Sequence, residues 1–135
     1  MPRRRGLTVR FLARGVLAAL LVAAGVSHLT WGRRGYRIVV PDWATRLLRT
    51  DKDAIVVASG AVELLLGAAL IAFPRERGRI GAAVAAFFVA VFPGNVHQWR
   101  TGRPAPGLAT DRARFVRLFL QVPLIAWAWW ATRAR

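Results

Sequence analysis

The stretch AIVVASGAVELLLGAALIAF, residues 54–73, decides the fold. It runs for twenty residues with a single charge, Glu63, near its middle. About twenty apolar residues is the length an α-helix needs to cross a bilayer core. A carboxylate at that depth costs about 3 kcal/mol on insertion scales. A chain keeps such a group only where it is paired, protonated or turned toward a polar cavity. Gly60, Glu63 and Gly67 fall at i, i+3 and i+7, so they share one helical face. Glycines on that face let a second helix approach the carboxylate closely.

The same pattern extends along the chain. Residues 11–31, 79–99 and 113–132 are also long and mostly apolar, so four transmembrane helices are expected. The expected fold is all-α, a four-helix transmembrane bundle forming one domain over residues 1–135. Apolar types make up 56% of the chain while the net charge is +15. A water-soluble domain of this size could not hide so much apolar surface. Arg3, Arg4 and Arg5 before an apolar stretch resemble the start of a signal peptide. The apolar stretch continues past His28 to Trp31 and three more spans follow, so it reads as a retained first helix. The arginines are dispersed between the spans, which suits anionic lipid headgroups and not nucleic acid. A bacterial inner membrane is the expected location.

The connections carry their own signals. Pro41 and Asp42 start a short helix over 42–49, with Trp43, Leu47 and Leu48 on one side and Arg46 and Arg49 on the other. That pattern is expected to lie at the membrane interface; an irregular loop is the alternative. Asp51 and Asp53 suit the start of the second span, where negative charge complements the helix dipole. Pro74 ends that span, and residues 75–79 form a tight turn. Residues 100–114 read as a loop, with Thr110 or Asp111 capping the last helix. Basic residues divide almost evenly between the two membrane sides, ten against eleven. The arginine cluster before the first helix then places both termini in the cytoplasm.

The polar residues within the spans converge. In an antiparallel four-helix arrangement, His28 ends the first helix, while Asn95 and His97 end the third. Glu63 lies about 15 Å into the second, and Gln121 a few residues into the fourth. All five share one half of the bilayer or its centre, where a polar pocket is expected. Pro93, followed by Gly94, and Pro123 each free backbone groups and kink a helix beside this region. Irregular backbone at membrane depth is tolerated where it is buried in protein or lines a cavity. Two histidines and a glutamate could hold a metal in principle, but no tight ligand spacing supports one. Trp127, Trp129 and Trp130 suit an interfacial aromatic belt, and Ser27 an interhelical hydrogen bond. The absence of cysteine removes thiol chemistry and Cys-ligated Fe–S clusters from this chain.

The segments Gly25-Val-Ser-His28, Ser59-Gly-Ala-Val-Glu63-Leu-Leu-Leu-Gly67, Val91-Phe-Pro-Gly-Asn95-Val-His97 and Gln121-Val-Pro-Leu-Ile-Ala-Trp-Ala-Trp129 together resemble the DoxX family of small bacterial membrane proteins. The resemblance implies a four-helix membrane bundle and carries over His28, Glu63 and Asn95 as site positions. Some DoxX proteins belong to redox systems, among them a thiosulfate:quinone oxidoreductase and an oxidative-stress complex. Gly94 stands where those proteins often carry alanine.

Three functions stay open on this reading. The first is a membrane-embedded partner of a redox or stress-response assembly, whose pocket binds a quinone headgroup or relays a proton. A carboxylate and an imidazole suit quinone chemistry, because each can donate or accept a proton. The second is a transporter or channel for a small solute or proton, with movement at Pro93 and Pro123; its narrow path calls for a homo-oligomer. The third is a structural scaffold without its own activity. The bilayer and redox proteins are the expected partners.

Overall fold

The computed structural model describes residues 2–104 and 110–133. Among these residues the protein is helical, without strands. The elements are α1 (Pro2–Leu29), α2 (Arg33–Tyr36) leading into a 3₁₀ turn (Arg37–Val39), α3 (Asp42–Leu48), α4 (Lys52–Ala72), a second 3₁₀ turn (Pro74–Glu76), α5 (Arg77–Thr101) and α6 (Asp111–Thr132). Helices α1, α4 and α6, and α5 with the turn before it, are long and apolar enough to cross a membrane.

Local chemistry fixes the helix ends. Asp51 caps α4 by accepting the Ala54 N–H at 2.7 Å, and Asp53 occupies the first turn beside the positive end of the dipole. Thr110 caps α6 by accepting the Ala113 N–H at 3.1 Å. Gly102 ends α5 in the left-handed conformation, with φ 64°, where glycine carries no Cβ penalty. Three boundaries differ from the sequence reading. Helix α1 starts at Pro2 and not near residue 11: proline suits a first helical position, residues 3–10 contain no further proline, and Thr8 bonds back to the Arg4 carbonyl at 3.1 Å. The loop expected over 100–114 is shorter, since α5 continues to Thr101 and α6 begins at Asp111. The connection after α1 holds the extra helix α2 besides α3.

The four long helices form two tight pairs, α1 with α4 and α5 with α6. The first pair meets through glycine. A Cβ on Gly25 would lie 2.7 Å from the Gly60 carbonyl oxygen, and one on Gly60 would lie 2.7 Å from His28 Cβ. Two turns further on, a Cβ on Gly67 would lie 2.8 Å from the Ala18 carbonyl oxygen. These distances are below any real Cβ contact, so only glycine fits. In the second pair Gly81 lies against Thr132, whose hydroxyl would collide with any side chain there.

The pairs meet where α6 crosses α1. Trp127 Nε1 donates to the Ala13 carbonyl at 3.0 Å, and Arg10 reaches the Arg133 carbonyl at 3.3 Å and stacks over Trp130. Leu17, Ala18, Leu21, Leu70, Val84, Phe88 and Ala128 make the core at this end. At the other end α4 and α5 touch along little of their length. There Asp53 ties the α2 region down through Arg33 and Arg37, the latter at 2.6 Å, and Asp42 pairs with Lys52 at 2.8 Å.

Two outcomes follow from this packing. Gly60→Leu is expected to force α1 off α4 and lower stability by roughly 1–3 kcal/mol, read as a lower melting temperature in detergent. Unchanged melting would contradict so close an approach. The Lys52 ammonium holds the Asp42 carboxyl below the usual carboxylate range. A group whose folded value is depressed contributes stability above its unfolded value, near 4, and loses it as pH falls through the folded value. The wild type is therefore expected to lose its melting-temperature advantage over Asp42→Asn on acidification below about pH 4.

Candidate functional site

Glu63 faces α1, as the glycine spacing requires, and is 7% exposed. Its Oε2 lies 2.7 Å from His28 Nδ1, which is equally 2.7 Å from the Ala24 carbonyl oxygen one turn back on α1. One N–H cannot point at both acceptors. The ring plane directs it to Ala24, leaving Oε2 in close charge contact but without an aligned donor. The far face of the His28 ring stacks on Tyr36, with centroids 3.7 Å apart, and the Tyr36 hydroxyl meets Ser27 at 3.2 Å. The α2 segment therefore holds the imidazole in place, and Gly60 on α4 supports its Cβ.

This pair borders a cavity of about 1010 Å³ along the open seam between α4 and α5. Its walls are mostly apolar, with Trp43, Leu47 and Leu48 of α3 at the mouth and Leu17, Leu21 and Phe88 at the floor. His28, Tyr36, Glu63, Asn95, Arg117 and Gln121 gather on the wall, with the hydroxyl residues Thr50 and Ser59 also lining it. Asn95 and Gln121 are 5% and 8% exposed. The Gln121 Oε1 is buried without a hydrogen-bond partner. Because α6 starts at Asp111, Gln121 lies ten residues in, about 15 Å along the helix and close to the depth of Glu63. The sequence reading put it nearer the helix start.

The structure thus brings together His28, Glu63, Asn95 and Gln121 of the five polar residues expected to converge. His97 is not on the cavity wall. Its ring lies toward the connections, within electrostatic range of Asp42, Lys52 and Arg103, and its Nε2 is buried without a partner. Pro93 and Gly94 line the cavity, whereas Pro123 is on the exposed outer face. Helices α5 and α6 continue through both prolines. Gly94 admits the backbone of the first 3₁₀ turn, since a Cβ there would lie 3.0 Å from the Val39 carbonyl oxygen. Among the described residues, no three acidic or histidine side chains gather as metal ligands do.

Sequence reasoning missed Tyr36, Gln98 and Arg117. Arg117 turns inward and donates from Nη1 to Gln98 Oε1 at 2.7 Å. Gln98 is 1% exposed and donates in turn to the Arg103 carbonyl at 3.2 Å. No local signal marked the inward turn of Arg117, because the partner lies on another helix. Gln98→Leu leaves the Arg103 carbonyl and one guanidinium N–H without partners, and is expected to cost roughly 1–3 kcal/mol in thermal unfolding.

No curated protein and no solved structure matches the chain. Residues 17–132, which include the whole cavity wall, match the family described as Domain of unknown function (DUF8561). The chain belongs to the DUF8561 family.

Proposed function

We propose that this chain is an integral membrane protein that binds a lipid-soluble ligand carrying a polar head. The head lies against His28, Glu63, Asn95 and Gln121, and the apolar body follows the seam between α4 and α5. The observation that carries this reading is the make-up of the cavity. Apolar walls bear a few convergent polar groups, two of them buried amides without side-chain hydrogen bonds. Such a surface is costly when empty and complementary to an amphiphile.

The outer surface supports the membrane setting. Leu65, Ile71, Phe119 and Val122 are 60–69% exposed on helices long enough to span a bilayer. A face of this kind is stable in hydrocarbon and not in water. The bond between Arg10 and Arg133 puts the start of α1 and the end of α6 at one end of the bundle, which suits two termini on the cytoplasmic side. The nearly inaccessible Leu17 and Val84 lie in the core beyond the polar cluster, which favours binding over transport.

The motif order that resembles the DoxX family adds a redox context. In it the ligand is a quinone and the protein the membrane partner of a redox or oxidative-stress assembly. His28 and Glu63 are then the pair that exchanges protons with the head. Purification in a mild detergent, solvent extraction and mass spectrometry of the extract test the proposal. Wild-type protein is expected to carry a stoichiometric amphiphile, a quinone in the redox context. Glu63→Leu, which removes a polar group from the wall, is expected to lower occupancy about ten-fold. An extract free of any bound amphiphile would overturn the reading.

A further inference from the structure

We infer that the head received by the cavity is anionic, a carboxylate or phosphate on a lipid chain, with Arg117 as its counter-charge. The inference rests on the cavity being a site for a lipid-soluble ligand, and it sets an anionic head against the neutral quinone of the redox context.

Arg117 lies six residues into α6, about 9 Å along the helix, and forms part of the cavity wall. A guanidinium stays charged in any protein environment, so it cannot escape the cost of burial by losing a proton. The buried Arg114 meets that cost with a carboxylate, Asp111, at 2.6 Å, and even the more exposed Arg33, Arg37 and Lys52 are paired with aspartates. Arg117 has none within 4.0 Å among the described residues. Among the described residues Glu63 is the one carboxylate on the cavity wall, and it is turned to His28 at 2.7 Å.

The neighbours hold Arg117 in readiness for an anion. Gln98 is anchored through its Nε2 to the Arg103 carbonyl, so its Oε1 fixes one end of the guanidinium. The other N–H groups make no hydrogen bond to described residues. Asn95 and Gln121, both buried on the same wall, each bring an unused amide N–H₂. A fork of charged donors with amide donors beside it matches the several lone pairs of a carboxylate or phosphate. A neutral head would use the hydrogen bonds and leave the charge uncompensated. A free anion would satisfy the charge and leave the apolar walls exposed to water.

A matched pair of probes separates these cases. Dibrominated stearate and its methyl ester differ only in head charge, and bromine quenches tryptophan, which Trp43 supplies at the cavity mouth. At alkaline pH in detergent micelles, the acid is expected to quench at about ten-fold lower concentration than the ester. Arg117→Gln is expected to bring the ratio of acid to ester quenching concentrations to about one. Arg117→Lys is expected to keep most of the acid preference. Equal binding of acid and ester by wild type, or an acid preference that survives Arg117→Gln, would overturn the anionic head and leave the amphiphile site standing. Displacement by inorganic phosphate as readily as by unlabelled oleate would overturn the lipid part. Binding of neither probe, with no quinone bound either, would overturn the site itself.

Discussion

Everything at the polar end of this protein depends on how closely α1 and α4 approach. Gly25, Gly60 and Gly67 remove the side chains that would hold the two backbones apart. Dispersion and weak polar contacts between backbones act only at such short range. The approach fixes His28 against α4 and sets its ring beside Glu63, one turn along from Gly60. A wider spacing would part the imidazole from the carboxylate and leave an isolated charge in an apolar wall. The glycine face and the ionisable pair are one device.

The second pair of helices is built differently. Gly81 against Thr132 locks α5 to α6 near one end, and the Trp127 indole joins α6 to α1 there. The other end has no such lock between α4 and α5. The polar side chains collect in the gap that remains, contributed by α1, α2, α4, α5 and α6. Among the described residues, Asn95 and Gln121 find no side-chain hydrogen-bond partner, a state that buried polar groups rarely keep unless something else satisfies them. The gap and the unsatisfied groups occur together, which is why they are read as a site and not as loose packing.

Much of this was legible in the residues. Long apolar runs gave the four long helices, and Pro41–Asp42 gave α3, because length and periodicity survive without tertiary information. Gly60 and Gly67 flanking Glu63 announced a close helix partner, although nothing local named Gly25 as its counterpart. The inward turn of Arg117 was not legible, because it depends on Gln98, nineteen positions earlier on another helix. Tyr36 was hidden for a similar reason: a four-residue helix has too little periodicity to reveal which ring it stacks on. His97 was placed with the pocket by depth alone, and depth along a helix does not say which way a side chain faces.

The uneven seams also bear on how such a molecule comes together. Each tight pair joins long helices that follow one another in the chain, so each is a hairpin able to form as soon as its second arm is made. The gap belongs to neither hairpin and exists only once the two have docked. A molecule lodged in that joint acts as mortar between prefabricated halves: it favours the docked state over the parted one in proportion to its own concentration. Supply of the ligand would then govern how much finished protein the cell keeps.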